Sequence, residues 1–500
     1  MIGLMQENGP CRVNNDSNTT EINPWSWNNY VNMLYIDQPN QVGFSYDVPT
    51  NGTHDLLTGN WDVSGYPDGV PEQNNTFYVG TFPSQNKSTA ANTTENAARA
   101  LWSFAQTWFS EFPEYKPHDD RVSIWTESYG GRYGPSFTAF FQEQNEKIAN
   151  GSIDIDDAHY IHLDTLGIIN GCVDLLVQSP SYPQIAYNNT YGIEAINKTV
   201  YDMAMEAWSK PGGCKDQIIE CRRLAAEGDP EMYGNNETVN KVCAKANNYC
   251  SNQVEGPYSL YSGRGYYDIS HFDPDPFPPP YYFGFLNQHW VQGALGVPVN
   301  FTESVDSVYN GFSATGDYPR SDVRGYLEDI AYVLDSGIKV ALVYGDRDYA
   351  CPWNGGEEVS LKVEYSDAAK FRSAGYAPLK TNASYVGGLV RQYGNFSFTR
   401  VFEAGHEVPA YQPETAYEIF HRALFNRDIA TGKVSIAKNN TYSTHGPSST
   451  WNVTNTVPDS PAPTCYILEL GSTCTKEQTA SVVNGTAVIK NYIVVDADSS

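Results

Sequence analysis

Basic side chains are scarce in this 500-residue chain: 31 Lys and Arg stand against 58 Asp and Glu, a formal charge of −27 at pH 7. That deficit argues against nucleic acid as a partner, because phosphates would be repelled. It suits work at acidic pH, where partial protonation of carboxylates relieves self-repulsion, although an acidic surface kept only for solubility carries the same signature. Long apolar runs are missing as well. With no stretch of about 18 apolar residues, neither a transmembrane helix nor a membrane partner is expected. Met1-Ile2-Gly3-Leu4-Met5-Gln6 has neither the basic start nor the apolar region of a secretion signal. Paired C-x-x-C spacing is lacking, and His406-Glu407 has no second His four residues past the first. No metal and no cofactor is therefore expected.

What the chain does contain is core material and sugar-acceptor motifs. Hydrophobic residues make up 40% and charged residues 18%, a globular balance. The length allows one large domain with insertions or up to about three ordinary ones. Tyr is common, and about sixteen Asn-x-Ser/Thr motifs occur, among them Asn15, Asn18, Asn51, Asn92, Asn188, Asn300, Asn382, Asn395 and Asn452. Beside nine cysteines, they point to a secreted or vacuolar glycoprotein bearing N-linked glycans. That reading conflicts with the missing secretion signal, so the true N-terminus is expected to lie outside this sequence.

Taken in order, the pattern is that of a mainly parallel sheet with helical crossovers. Met33-Leu34-Tyr35-Ile36 reads as a buried strand, and residues 47–92 as a polar surface excursion. A helix starts at Thr93 or Thr94, with Ala97, Leu101, Phe104, Ala105 and Trp108 at helical spacing. Strands are expected at 122–125, 166–171, 338–344 and 398–402, and helices over 323–334 and from Pro413. The segments predicted are a first core half over 1–178, a disulfide-tied lid or cap insertion over 179–290, a second core half over 291–437 and a glycosylated tail over 438–500.

The stretch Trp125-Thr126-Glu127-Ser128-Tyr129-Gly130-Gly131 sits between a strand and a helix. A serine on such a turn is a nucleophile elbow, and the N–H of Tyr129 can face a developing oxyanion. The match to G-x-S-x-G is imperfect, since Thr126 stands where the first Gly belongs. An Asp just past one later strand (Asp346 or Asp348) and His406 just past the next complete the order Ser, Asp, His of the α/β-hydrolases. His406 would take the Ser128 proton, and an Asp would orient the imidazole. An Asp after a strand is often only a turn residue; three such coincidences in the right order outweigh that reading.

Four stretches make the resemblance specific: Glu127-Ser128-Tyr129-Gly130-Gly131-Arg132-Tyr133, Ile36-Asp37-Gln38-Pro39 with Val42-Gly43-Phe44-Ser45-Tyr46, Gly345-Asp346-Arg347-Asp348 with Cys351, and Ala404-Gly405-His406-Glu407-Val408-Pro409. Together they span roughly residues 1–430, and the chain resembles the serine carboxypeptidases. The resemblance implies an α/β-hydrolase fold and removal of C-terminal residues from peptides with a free C-terminus, at acidic pH. It places the triad acid on Asp348 and leaves Asp346 structural. It implies that Glu7 and Glu127 share a proton and bind the substrate's carboxylate, and that Cys351 is a free thiol near the site. In the family, Trp-Leu-Asn-Gly-Gly-Pro-Gly-Cys-Ser-Ser precedes the stretch that begins here at Met1. The second oxyanion donor and the first strands of the sheet are therefore expected to be absent from this chain. Nested pairs Cys214–Cys250 and Cys221–Cys243, with Cys465–Cys474, are expected; Cys11, Cys172 and Cys351 are left over. Two other readings stand beside this one: an esterase or acyltransferase on the same scaffold, and a catalytically silent truncated glycoprotein.

Overall fold

The computed structural model describes residues 1–495 apart from 64–65, 67–68, 113, 154–157 and 322–323. Two compact units emerge, one built from Met1–Ala91, Ser270–Gly311 and Pro458–Ser500, the other from Asn92–Ile269 and Phe312–Val457.

In the first unit, Thr50–Asp55 pairs antiparallel with Trp61–Asp62 and with Phe77–Phe82. The expected polar excursion over 47–92 thus contains a small sheet. Phe82, at the end of the last of these strands, is buried. His54 stacks on Trp61 with ring centroids 3.8 Å apart. Met33–Ile36, in contrast, forms no strand. No strand pairs with it among the described residues, and Leu34 and Ile36 stay exposed at 49% and 39%. The core of this unit gathers Tyr282, Phe283, Leu286 and Phe301 with Tyr466 and Ile467.

The second unit carries the main sheet, whose strands are numbered β1 (Arg121–Glu127), β2 (His162–Ile169), β3 (Lys339–Gly345), β4 (Ala377–Lys380), β5 (Val386–Tyr393) and β6 (Phe396–Val401). Their spatial order is β1-β2-β3-β6-β5-β4. The first four in that order are mutually parallel, and β5 and β4 add an antiparallel edge. Every residue of β3 and β6 is buried, as strands covered on both faces of a parallel sheet should be.

The helices of this unit used below are α1 (Thr94–Glu111), α2 (Gly130–Ala149), α3 (Tyr326–Asp335), α4 (Trp353–Lys362) and α5 (Pro413–Leu424). Helix α1 begins where expected, the Thr93 hydroxyl accepting the Asn96 N–H at 3.2 Å. Neighbouring residues of β1 show that both faces of the sheet are covered. Ile124 packs with Ala105 of α1 and Phe141 of α2, while the Trp125 ring meets Phe420 of α5 at 5.2 Å. Gly167 faces Trp125 across β1 and β2, and a Cβ there would lie 2.2 Å from the indole. Helix α3 matches the expected helix over 323–334, although Val323 itself lies outside the described residues.

Within the predicted insertion, Cys214–Cys250 and Cys221–Cys243 close as expected and bind the helices Cys214–Gly228 and Glu237–Cys250 together. Cys465–Cys474 also forms. Residues 444–455, expected in the tail, lie against the sheet unit, with Thr444 and Thr450 buried.

Candidate active site

Four loops leave the C-terminal ends of the adjacent parallel strands β1, β2, β3 and β6, the edge where open α/β sheets place their chemistry. They carry Ser128, Asn170, Asp348 and His406 in that order.

Ser128 follows β1 directly and has φ +60°. That left-handed conformation costs a non-glycine residue about 1–3 kcal/mol, and three backbone bonds hold it. The Ser128 N–H donates to Ile169 O at 3.0 Å, while Ser128 O accepts the N–H of Gly131 and of Cys172, each at 2.9 Å. The glycines act through space, not through φ. A Cβ on Gly131 would stand 2.6 Å from Cys172 N, and one on Gly130 would stand 2.5 Å from the Cβ of Thr126. The imperfect motif is thereby explained: side chain and empty space have changed places between positions 126 and 130. The Thr126 hydroxyl then donates to Gly130 O at 2.9 Å.

Tyr129 opens α2, where the first N–H groups have no helical acceptor; its own N–H donates to no backbone carbonyl among the described residues. Its phenol donates to Asp317 Oδ2 at 2.6 Å. Burial and then the Asp317 charge raise that phenol well above its ordinary value, so it stays neutral throughout the working pH range. Asp317 also accepts the Thr94 N–H at 2.9 Å and the Thr94 hydroxyl at 2.6 Å, tying the start of α1 to the elbow.

His406 Nδ1 lies 2.8 Å from Asp348 Oδ2. A carboxylate only accepts, so Nδ1 carries the hydrogen and Nε2 is left as the basic nitrogen. Both residues are buried. Asp348 meets three further donors: Asn170 Nδ2 at 2.7 Å and the Cys351 N–H at 3.1 Å on Oδ2, and the Ala350 N–H at 2.8 Å on Oδ1. Asn170, expected inside a strand over 166–171 and given no role there, instead follows the strand end at Ile169. Its Oδ1 accepts the Gly345 N–H at 2.9 Å, so one side chain bridges the ends of β2 and β3 and orients the acid. The one signal for it was a polar residue directly after the apolar run 166–169.

The serine carboxypeptidase family model matches residues 1–426. This chain belongs to the serine carboxypeptidase family. It is 59% identical to carboxypeptidase S1 homolog A of Arthroderma otae over 495 residues, which are 99% of this chain and 76% of that protein. Carboxypeptidase S1 of Penicillium janthinellum is 33% identical over 431 residues, 86% of each chain. The crystal structure of a prohormone-processing carboxypeptidase from Saccharomyces cerevisiae, Kex1(delta)p, superposes with a TM-score of 0.54 at 20% identity, covering 85% of this chain and 80% of that one. The fold is accordingly the expected α/β-hydrolase. The protein is a hydrolase, and its substrates are peptides.

One expectation about this serine carboxypeptidase is overturned. Cys351 is not a free thiol; it is bonded to Cys172. The pairing joins residues 179 positions apart whose loops meet only because β2 and β3 are neighbours, so no spacing rule could suggest it. It also leaves Asp348 and His406 without a thiolate beside them, and these two engage each other. Cys11 is the free cysteine. The bond stitches the loop that supports the elbow to the loop that holds the acid. Replacing Cys172 and Cys351 together by Ala should lower stability by about 3–5 kcal/mol, the cost expected for so long a closed loop; urea unfolding of the double variant measures it.

Beyond the disulfide lies a cluster of phenols. Tyr182 donates to Ala350 O at 3.0 Å, and Tyr349 stacks on Tyr258 at 3.7 Å. Tyr349 also donates to Glu255 O at 2.7 Å, and Tyr266 donates to the Glu255 carboxyl. Enclosure by these rings raises the Glu255 carboxyl above its ordinary value, and the Tyr266 hydrogen bond pulls it partly back.

The two carboxyls expected to read the substrate carboxylate fall in different units. Glu127 is the last residue of β1, half-buried, one position before Ser128. Glu7 ends the short helix Gly3–Glu7 in the first unit and is buried there. Next to it, Asn8 Oδ1 accepts the Tyr35 hydroxyl at 2.7 Å, and burial followed by the Glu7 charge raises that phenol.

Proposed function

We propose that Ser128, His406 and Asp348 form the triad of a carboxypeptidase that removes C-terminal residues through an acyl-enzyme at acidic pH. The observation that carries this reading is the 2.8 Å contact between His406 Nδ1 and Asp348 Oδ2 in loops neighbouring the strained serine. His406 Nε2 takes the Ser128 proton as the oxygen attacks the scissile carbonyl, then returns it to the leaving amine. Water, activated the same way, hydrolyses the acyl-enzyme. The Tyr129 N–H donates to the oxyanion.

Glu127 and Glu7 are proposed to recognise the free C-terminal carboxylate while sharing one proton. Two carboxyls competing for one anion ionise together only at a cost, so one proton is retained at acidic pH. Losing it as pH rises weakens substrate binding, and activity falls on the alkaline side. This part rests on the resemblance to the family and on the position of Glu127 beside Ser128.

The test compares release of the C-terminal amino acid from blocked dipeptides at pH 4–6 with turnover of the corresponding amides. Free acids should be cleaved with kcat/KM at least about tenfold higher, and Glu127→Gln should shrink that preference by about 1–3 kcal/mol, the cost of one lost charged hydrogen bond. Equal turnover of acids and amides would sink the exopeptidase reading. A secreted or vacuolar location with N-linked glycans is part of the proposal. It is supported by the acceptor motifs, several of which, including Asn18, Asn51, Asn382 and Asn452, are exposed. Among the described residues, no helix is long and apolar enough to cross a membrane.

A further inference from the structure

Two residues before Asp348, the carboxylate of Asp346 is completely buried and fully engaged. Its Oδ2 accepts Arg400 Nη2 at 2.9 Å, Arg400 Nε at 3.2 Å and Asn455 Nδ2 at 3.1 Å. Its Oδ1 accepts the Tyr191 hydroxyl at 2.7 Å and the Glu403 N–H at 3.0 Å. Glu403 stands three residues before His406 and has φ +57°, a conformation that a non-glycine residue keeps only when its surroundings hold it. The Asp346 N–H donates to Val401 O at 3.0 Å and the Arg347 N–H to Ala404 O at 2.9 Å. The acid loop and the histidine loop are thus zipped together past the ends of β3 and β6, with the Asp346 side chain bonded to the backbone between them.

The opposite side of the pair is held from the far end of the unit. Arg400 Nη1 donates to Thr450 O at 2.8 Å, and Nη2 to Val453 O at 3.1 Å and to the Thr190 hydroxyl at 2.7 Å. Its guanidinium lies 4.5 Å above the Trp353 ring, which also meets Trp451 at 5.0 Å. The Asn455 N–H donates to Thr190 O at 3.1 Å. Residues 450–455 therefore close over a buried ion pair instead of trailing from the fold.

We propose that Asp346, Arg400 and Asn455 form a positioning unit that sets the His406 loop against Asp348, so that residues 450–455 help hold the catalytic geometry without touching substrate. The proposal rests on reading His406 as the base. Asp346 fixes where the backbone turns before His406, Arg400 fixes Asp346, and Asn455 clasps the pair. A buried ion pair missing one partner leaves an uncompensated charge, whereas Asn455→Ala removes only the clasp and leaves the pair intact.

The experiment uses the full chain with Asp346→Asn, Arg400→Lys and Asn455→Ala. It measures kcat and KM separately, together with the downfield proton resonance of the His406 Nδ1–H bonded to Asp348. Displacing a catalytic group by about 1 Å costs about 100-fold in rate. Asp346→Asn should therefore lower kcat by about 100-fold with KM within about twofold, and Asn455→Ala should lower it by about tenfold. Arg400→Lys should fall between them, because lysine keeps the charge without the forked geometry. In each variant the downfield resonance should shift or broaden. Wild-type kcat together with an unmoved resonance in folded Asp346→Asn overturns the proposal. If Asp346→Asn does not fold, Asn455→Ala decides by the same two readouts. If the wild-type chain turns over no dipeptide, the carboxypeptidase reading fails on its own, and the resonance still decides whether the unit positions His406.

Discussion

Replacing Ser128 by Ala is expected to lower kcat by about a millionfold, with KM for a blocked dipeptide little changed. The serine oxygen forms the covalent bond in the proposed mechanism, and no neighbouring group replaces it. The elbow exists to present that oxygen: Ser128 holds a left-handed φ of +60°, secured by bonds to Ile169 and Cys172 across the end of β2. Alanine keeps the backbone, the hydrogen bonds and the Tyr129 N–H, so the loss isolates the nucleophile. Steady-state turnover combined with labelling by an active-site serine reagent measures it. A variant that retained even one hundredth of the activity would show that another group attacks.

The second large effect is expected at Asp348. Asp348→Asn should drop kcat by about 10⁴-fold, although the side chains have the same shape. His406 Nδ1 lies 2.8 Å from Asp348 Oδ2, and an amide nitrogen there would meet the Nδ1–H donor to donor. The imidazole would then turn over its tautomer and leave Nε2 protonated, unable to accept from the serine. The surroundings sharpen the effect, because Asn170 Nδ2 also donates to that oxygen at 2.7 Å and the Ala350 N–H donates to the other at 2.8 Å. Whichever way the introduced amide turned, its NH2 group would face a donor. Rate measurements with thermal unfolding on the same preparation separate this from loss of the fold. A decrease of less than about tenfold would move the triad acid elsewhere.

Much of this arrangement was legible in the sequence wherever a local pattern dictates structure. Helix α1 was marked by its Thr93 cap and its apolar spacing, and the ends of β1, β3 and β6 were marked to within two residues by apolar runs stopping at 125, 344 and 402. Tertiary contact decided the remainder. Met33–Ile36 has a strand's composition, but an apolar run becomes a strand only when another strand pairs with it. Thr126 looked like a defect until Gly130 was seen to leave room for its side chain. Asn170 belongs to no motif, because its role arises only where β2 lies beside β3. The pairing of Cys172 with Cys351 was hidden for the same reason. Of three leftover cysteines, the two that bond are those brought together by adjacent parallel strands.

That disulfide makes the choice of production host part of the chemistry. The elbow's support and the acid's loop become one covalent piece only after the chain has met an oxidant, and only after folding has brought together residues 179 positions apart. In a reducing cytosol the two thiols would remain unbonded. Preparations from an oxidising secretory route and from a cytosolic one should therefore differ in specific activity even at the same mass and purity.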